Sequence, residues 1–320
     1  MLQNLFITIF ELVPMLLKSA EQGLVFGVMA LGVYITFKIL NFADLTVDGS
    51  FPLGAAVAAS LIVSGYNPFF ATFVAFIAGA LAGAMTGLLN TKAQISDLLS
   101  GILTMTSLYS INLRIMGKPN TPLLNQSTIY SLISDFFSKI WPSFPTEYTY
   151  IMFFIVFALL IKILLDAFLK TQIGFALRAT GDNPQMIRSQ GVNTDLAKVI
   201  GLILSNGFIA LSGALVAQYQ GFADVGMGVG TIVAGLASVI IGDSLFGSKT
   251  IFISTLGVLL GSFLYRFSIA LVLSFRLAQA SDLKLLTAIV VIIALTAPRF
   301  KQTFKVSAKD PLCQDKFSKT

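Results

Sequence analysis

One short segment of this chain, residues 41–50, concentrates polar side chains between two apolar stretches. Its polar members are Asn41, Asp44, Thr46, Asp48 and Ser50. Carboxylates, amides and hydroxyls can bind a cation or a polar solute, and ionisable groups at a bilayer are costly enough that they usually serve a function. If the flanking stretches cross a membrane, we predict a broken or re-entrant segment that lines a pathway. The alternative is an ordinary cytoplasmic loop in which Asp48 or Ser50 caps the next helix.

A second polar segment carries the local signals of a short helix. Asn183 can cap its N-terminus and Pro184 suits its first position. Gly191 suits the left-handed conformation that follows a helix end. The sequence therefore predicts a short helix between these residues.

Two apolar residues, Met186 and Ile187, lie on this helix, in a loop that we expect to face water. A helix this short gains little stability from its own hydrogen bonds. We predict that it docks onto another protein. The alternative is a helix packed on its own chain, since single exposed apolar residues are common.

The composition places both segments in a membrane protein. Of 320 residues, 56% are hydrophobic and only 11% are charged, whereas soluble domains carry about 25% charged residues. We predict an all-α, polytopic transmembrane helical bundle of about 8–10 spans. Soluble globular, disordered and coiled-coil classes are excluded. The lipid bilayer is one partner, and no nucleic acid is expected because no basic patch alternates with aromatic residues.

Several kinds of chemistry are excluded by the residues that are missing. The chain has no histidine and one cysteine, Cys313, so imidazole catalysis, an internal disulfide and a metal cluster are not expected. Residues 242–250 approach a phosphate-binding loop, but one residue too many precedes Lys249 and the flanks are apolar. We interpret them as a turn at the membrane edge. The chain is therefore not expected to be an enzyme or to hold a cofactor.

The apolar stretches give the candidate spans. They lie near residues 22–37, 50–64, 68–89, 98–116, 149–169, 197–217, 231–246, 250–274 and 285–298. Residues 4–17 form a further apolar stretch, interrupted by Glu11 and Pro14, that either spans or lies in the interface. Several spans are short for a bilayer, which needs about 20 residues. Broken helices would account for this.

The lysines and arginines predict the orientation. Most of them fall on one side of the membrane if residues 171–195 are a cytoplasmic loop, as the excess of positive charge in cytoplasmic loops requires. Residues 1–298 then form the transmembrane domain, with an extracytoplasmic loop at 117–148. Residues 299–320 form a polar tail with a cytoplasmic C-terminus.

A weak internal repeat relates the two halves. A shift of 180 residues aligns Gly27 with Gly207 and Asp44 with Asp224, among five identities. The orientation makes the halves inverted, as in many transporters, and adds Asp224 to the candidate pathway residues. Chance similarity between helices rich in small residues is the alternative.

Glycines also recur at i, i+4 spacing, which lets helix backbones approach closely in lipid. They are Gly23 and Gly27, Gly79, Gly83 and Gly87, and Gly257 and Gly261. We interpret the pattern as helix packing within the chain. The alternative is a subunit interface.

Three segments resemble the membrane subunits of ATP-binding-cassette importers, in the family of branched-chain amino acid and ribose permeases. They are the Asp-Leu-Thr-Val-Asp-Gly-Ser run at 44–50, the Gly-rich loop at 174–192 and the Val-Ile-Ile-Gly-Asp-Ser-Leu-Phe-Gly run at 239–247. The similarity extends over residues 20–300. Residues 41–56 most resemble a subgroup linked to tryptophan and tyrosine uptake.

This resemblance implies a permease that forms the translocation pathway of a bacterial importer in the cytoplasmic (inner) membrane. It implies a homodimer, an extracytoplasmic substrate-binding protein and a cytoplasmic ATPase that holds ATP and Mg²⁺ on a separate chain. The ATPase-coupling residues would be Arg178, Gly181, Asp182, Asn183, Pro184, Met186, Ile187, Arg188 and Gly191. Arg178 and Arg188 would pair with acidic groups of the ATPase.

The rival class is an ion-coupled secondary transporter in which Asp44, Asp48 or Asp224 binds H⁺ or Na⁺. It leaves the capped cytoplasmic helix unexplained. A membrane-embedded enzyme is a second rival class, but the sequence shows no nucleophile–base pair to support it. A channel-like scaffold subunit is the third.

Overall fold

The chain folds into a helical bundle. A computed structural model describes residues 2–140, 146–247 and 250–274, together with 288, 289, 292 and 296. The helices are α1 (Leu2–Tyr34), α2 (Val47–Val63), α3 (Pro68–Thr91), α4 (Asp97–Met116), α5 (Ile129–Ile140), α6 (Thr146–Leu169), α7 (Gln172–Asp182), α8 (Pro184–Ser189), α9 (Thr194–Gln220), α10 (Thr231–Phe246) and α11 (Ile251–Ser274). Two strands, β1 (Asn120–Pro122) and β2 (Phe222–Asp224), pair antiparallel.

The predicted spans correspond to these helices. Among the described residues, six helices are long and apolar enough to cross a membrane; α2 is a shorter apolar helix, and α4, which carries the predicted span 98–116, is not one of the six. The expected number of 8–10 spans stays a prediction. Each predicted span between residues 22 and 274 lies on a helix. The stretch 4–17 is not a separate element, because α1 runs without interruption from Leu2. The predicted span 285–298, apart from its few described positions, and the tail 299–320 lie outside the described residues.

Helices α1 and α9 are the most buried of the spans. Serine hydroxyls tie them together: Ser205 Oγ donates to the Gly32 carbonyl and Ser212 Oγ donates to the Val25 carbonyl, each at 2.8 Å. The two pairs run in opposite order along the helices, so α1 and α9 are antiparallel. In a lipid bilayer the burial of apolar surface does not drive helices together, so hydrogen bonds of this kind contribute to their association.

The small residues pack helices within the chain. A Cβ atom on Gly79 or Gly83 would overlap backbone carbonyls of α9, so α3 can lie this close to α9 only with glycine at those positions. Gly23 likewise faces the backbone of Phe263, and Gly261 faces Ser238. These contacts confirm the interpretation of the glycine pattern as intramolecular packing.

A buried ion pair within α6 contacts α11. Lys162 Nζ lies 2.7 Å from Asp166 Oδ2, and Thr255 Oγ1 donates to Asp166 Oδ1 at 2.7 Å. The Lys162 ammonium also lies 3.1 Å from the centroid of the Phe252 ring. The i, i+4 spacing places Lys162 and Asp166 on one face of α6, and Thr255 supplies the second donor that a buried carboxylate needs.

The ends of α4 and α9 meet at one end of the bundle. Strand β1 follows α4 and β2 follows α9, with Thr121 opposite Ala223. Helix α5 is attached at the same end, because the Ile129 amide donates to Gln218 Oε1 at 3.0 Å. The loop α7–α8 precedes α9 and therefore lies at its other end. The predicted inverted repeat stays a prediction, although α1 and α9 do run antiparallel.

Candidate functional site

The polar segment 41–50 begins where α1 ends irregularly. A short π-helical turn, Ile35–Ile39, follows α1, and Asn41 then adopts a left-handed conformation with φ 52°. Asp44 next receives the Thr46 amide on Oδ1 at 2.9 Å, which starts α2 at Val47. The helix is thus broken between residues 40 and 46, as the sequence had predicted.

A buried polar cluster, made of Asp44, Thr46, Ser50, Thr86 and Asn206, holds this break against α3 and α9. The Asn206 side chain bridges it: its amide donates to Asp44 Oδ2 at 2.9 Å and its carbonyl accepts from Ser50 at 2.7 Å. The Thr46 and Thr86 hydroxyls share a bond of 2.8 Å. All five side chains are almost fully buried. In this conformation the cluster cross-links three helices inside the subunit.

Asp48 caps a helix, but not the one that the capping alternative named. Its carboxylate accepts the Gly230 and Ile232 amides at 3.0 and 2.9 Å, and the Thr231 hydroxyl at 3.0 Å. These groups form the start of α10 rather than the start of α2. Ser50 caps no helix, since it bonds to Asn206. Asp48 therefore fixes the N-terminus of α10, where negative charge is favourable.

Asp224 lies apart from the buried polar cluster. It belongs to β2, where its Oδ1 accepts from the Gly226 amide at 2.7 Å and its Oδ2 lies 3.4 Å from Asn120 Nδ2. This places it beside β1, at the end of α9 beyond Gln220. The structure therefore does not join the six candidate pathway residues into one site. Asn41 is exposed and Asp48 is partly accessible.

The predicted loop helix is present. Asn183 Oδ1 accepts the Met186 amide at 3.0 Å, Pro184 is the first residue of α8, and Gly191 has φ +85°. A second helix, α7, directly precedes it and was not predicted. Only one of the two apolar residues projects outward: Met186 is 55% exposed, whereas Ile187 is buried. The expectation that Ile187 faces water is wrong, because that side chain packs inward.

Helix α7 touches the broken segment directly. A Cβ atom on Gly181 would overlap the Ile39 carbonyl, and it would lie 3.0 Å from the Leu40 Cα. Leu177, which is fully buried, packs with Leu40 against Gly201 of α9. The loop that we predicted to dock another protein therefore packs on Ile39 and Leu40, the two residues that directly precede the predicted pathway segment 41–50.

A cavity of about 410 Å³ lies beside this contact. It is lined by Tyr34, Lys38, Ile39, Arg178, Asp182, Thr250, Ile251 and Ser254. The Lys38 ammonium at its edge lies 2.8 Å from Asp243 Oδ2, which links the end of α1 to α10. The Arg178 guanidinium covers the Phe175 ring at 4.4 Å. Arg178 is therefore half-buried, whereas Arg188 remains exposed and contacts Thr194 and Asp195.

Sequence reasoning missed the partners of the candidate residues. Asn206 and Thr86 lie in long apolar helices, and each faces the segment across a helix interface. Each is a polar residue within an otherwise apolar stretch of sequence. In a membrane helix such a residue usually marks a helix contact or a functional site, and this could have identified both.

Comparison with known proteins agrees with this architecture. The family described as branched-chain amino acid transport system / permease component matches residues 15–295. The tyrosine transport system permease protein of Clostridioides difficile is 46% identical over 290 residues, which are 91% of this chain and 93% of that one. The ribose import permease protein of Haemophilus influenzae is 28% identical over 262 residues, or 81% and 77% of the two chains.

A solved structure shares the fold. It is that of PsaBC from Streptococcus pneumoniae in complex with Fab, with a TM-score of 0.50, 14% sequence identity, and coverage of 86% of this chain and 89% of that chain. The family match extends over nearly the whole chain, and it includes the broken segment and the α7–α8 loop. The chain belongs to this family of transport-system permease components, and it is the membrane-spanning permease subunit of an importer of the ATP-binding-cassette class.

Proposed function

We propose that this permease works with separate cytoplasmic ATPase subunits to import an aromatic amino acid such as tyrosine or tryptophan. ATP and Mg²⁺ bind to the ATPase, and an extracytoplasmic binding protein delivers the solute. Two copies of the permease pair around the pathway. The observation that carries the proposal is that α7 packs without an intervening side chain against the backbone of Ile39 and Leu40, where the break after α1 begins.

The α7–α8 loop presents a surface suited to a protein partner. The coupling surface consists of the exposed apolar side chains of α7, α8 and the start of α9, which are Ile173, Phe175, Met186 and Leu196. Apolar residues grouped on a polar loop mark interaction sites, and Met186 and Phe175 are of the types enriched at interface centres. Arg188 and Lys198 line a cavity of about 480 Å³ together with Pro184, Gln185 and Ser189 of α8, so acidic groups of the ATPase are the expected counterparts.

Movement of the loop has a direct route into the membrane domain. Gly181 lies against the Ile39 backbone without an intervening side chain, so α7 cannot shift towards the break without moving it. Packed interiors transmit such displacements because they contain few voids. Closure of the ATPases would then push α7 and change the access of the pathway by a rigid-body switch.

The pathway residues take different parts in this proposal. Asn41 and Asp48 are accessible already, whereas Asp44, Thr46 and Ser50 become accessible only if the switch separates α2 from α9. Asp224 acts at the extracytoplasmic end. The C-terminal tail faces the cytoplasm together with α7 and α8, and the protein resides in the bacterial cytoplasmic membrane.

The proposed solute rests on the relatives. A permease named for tyrosine transport is 46% identical to this chain over nearly its whole length, whereas the ribose permease is 28% identical. An amino acid is therefore favoured over a sugar, and an aromatic one over a branched-chain one.

The ion-coupled alternative is not favoured. Asp44, Asp48 and Asp224 each have carboxylate oxygens that accept hydrogen bonds from the chain itself. The family consists of permease components of transport systems. If a separate ATPase supplies the energy, transport does not require an ion to bind to the permease.

Substitutions on the coupling surface test the proposal. We expect Met186→Asp and Arg188→Glu to abolish co-purification of the ATPase with the permease and to reduce tyrosine uptake by about tenfold or more, because a buried unpaired charge at an interface centre costs several kcal/mol. The measurements are co-purification and ATP-driven uptake in membrane vesicles. Leu124→Asp and Arg114→Glu make the same changes at the other end of the bundle, and they should retain both activities. Wild-type assembly and uptake by the coupling-surface variants would refute the docking role.

A further inference from the structure

A third cavity lies at the end of α9 opposite the coupling surface. It measures about 340 Å³, which is within the range of small-molecule sites. Its lining comes from α1, α5, α6 and α9: Leu17, Lys18, Glu21, Tyr130, Tyr150, Gln218 and Tyr219. We refer to it as the outer cavity. Its position beside β1 and β2 puts it on the extracytoplasmic side in the proposed orientation.

Aromatic rings form most of one wall of the outer cavity. Tyr130 is their centre: its ring lies 5.5 Å from Tyr150, 5.5 Å from Tyr219 and 5.0 Å from Phe154, measured between centroids. These centroid distances lie in the range of about 4.5–7 Å over which aromatic rings attract one another. Another aromatic ring that entered the cavity would find the same kind of partner.

Charged groups of both signs lie at the α1 side of the outer cavity. Lys18 and Glu21 are at i, i+3 positions and so share one face of α1. Glu21 is only 7% exposed. Its two carboxylate oxygens can accept several hydrogen bonds, so it can receive a ligand ammonium in addition to contacts within the subunit. Lys18 is exposed and can reach a carboxylate.

The beginning of α5 is fixed in place by Gln218. The Gln218 side-chain oxygen accepts the Ile129 amide at 3.0 Å, and its amide donates to Thr72 Oγ1 at 2.9 Å. Tyr130 is the next residue after this anchor. Gln218 is therefore a positioning residue for the aromatic wall, and its own polar groups are already used.

The Tyr130 hydroxyl is buried and has no hydrogen-bond partner among the described residues. Burial also raises the pKa of this phenol above its usual value, so the group remains protonated and able to donate. A buried hydroxyl without a partner lowers stability. Its presence in a cavity wall is accounted for if a ligand group completes the bond.

We propose that the outer cavity is a binding site for a zwitterionic aromatic amino acid, with the ring among Tyr130, Tyr150 and Tyr219, the ammonium at Glu21 and the carboxylate at Lys18. The inference rests on the proposed function, because it names the place where the imported solute enters the permease. It assigns recognition of the side chain to α5, α6 and α9, and recognition of the charged end to α1.

Equilibrium binding of radiolabelled L-tyrosine to the full-length permease in lipid nanodiscs tests the site, with two analogues that each lack one charge. We expect Glu21→Gln to raise the Kd for L-tyrosine about tenfold or more, because hydrogen bonds to charged groups contribute strongly. The same change should leave the Kd for 3-(4-hydroxyphenyl)propionate, which has no ammonium, unaltered. Lys18→Gln should weaken L-tyrosine but not tyramine, which has no carboxylate.

Tyr130→Phe separates binding from folding. Removal of a buried unpartnered hydroxyl should leave the unfolding midpoint unchanged or raise it, while the affinity for L-tyrosine falls. Tyr109→Phe and Lys118→Gln, at exposed positions outside the outer cavity, should change neither property. Wild-type Kd values in Glu21→Gln, Lys18→Gln and Tyr130→Phe would overturn the site.

ATP-driven uptake by the wild-type complex distinguishes a failure of the outer-cavity site from a failure of the proposed function. If the complex imports tyrosine but the outer-cavity variants bind it normally, the site is wrong and the proposed function stands. If the wild-type complex does not import tyrosine with ATP, the proposed function fails first.

Discussion

Asn206 is the residue on which the buried polar cluster depends. It donates to Asp44 and accepts from Ser50, which lie six positions apart in the polar segment 41–50, while its own backbone belongs to the most buried span. A carboxylate in such a place needs a donor for each oxygen, because an unpaired buried charge costs far more than an unpaired neutral group. Asp44 has the Thr46 amide for one oxygen and Asn206 for the other.

A charge swap tests this pairing. We expect Asn206→Asp to lower the free energy of unfolding by about 1–3 kcal/mol or more, because it removes the donor and sets two carboxylates against each other. The double variant Asp44→Asn with Asn206→Asp should recover most of the loss, since donor and acceptor are then exchanged. The measurement is the unfolding midpoint of the purified permease in nanodiscs. A double variant no more stable than the single one would show that the contact contributes nothing.

At the residue scale, the sequence indicated which side chains matter but not what they touch. The types and spacing of Asp44, Thr46 and Ser50 marked a polar break between apolar helices. The partners could not be inferred, because Asp44 and Asn206 are 162 residues apart and Asp48 and Gly230 are 182 residues apart. Contacts of this range are set by how helices pack, and no local pattern encodes that packing.

At the scale of elements, α7 and α8 have one face exposed to water and one face packed on the membrane domain. In the proposed function they act as a lever that transmits movement of the ATPase to the membrane domain. The coupling surface is exposed, whereas Leu177, Gly181 and Ile187 face inward. The short helix α8 was predictable because its cap, its first proline and its terminal glycine are local signals. Helix α7 was not predicted, since its amphipathic pattern is short and runs directly into α8.

Gly181→Ala tests the lever. The added Cβ would overlap the Ile39 carbonyl, so α7 must move away from the break. We expect uptake to fall about tenfold or more while the ATPase still co-purifies, because the coupling surface itself is unchanged. Gly65→Ala is the control: Gly65 has open space around it and a left-handed conformation, so it carries only a strain of about 1 kcal/mol. Full uptake by Gly181→Ala would contradict direct transmission through this contact.

Element packing also explains why the outer cavity could not be anticipated. Its tyrosines come from α5, α6 and α9, and aromatic residues are spread along the whole sequence. The strand pair β1–β2 was equally hidden, since each strand has only three residues. What brings these parts together is the docking of α5 on Gln218.

At the scale of the whole molecule, the proposed ATPase-coupling surface and the proposed solute site lie at opposite ends of α9. One end carries the coupling surface and a cavity lined by Lys38, Arg178 and Asp182. The other end carries the outer cavity, and the broken segment with its buried polar cluster lies between them. Composition alone was sufficient to predict a helical membrane protein, because so little charge cannot cover a soluble surface. Composition could not reveal how the helices connect the two ends of the bundle.

Transport by this permease is proposed to depend on a separate ATPase. The most direct measurement is uptake of radiolabelled L-tyrosine into proteoliposomes that contain the permease and its ATPase, with the binding protein outside and ATP inside. We expect accumulation that requires both ATP and the ATPase and that persists when ionophores collapse H⁺ and Na⁺ gradients. Accumulation by the permease alone, driven by an ion gradient without ATP, would contradict the account.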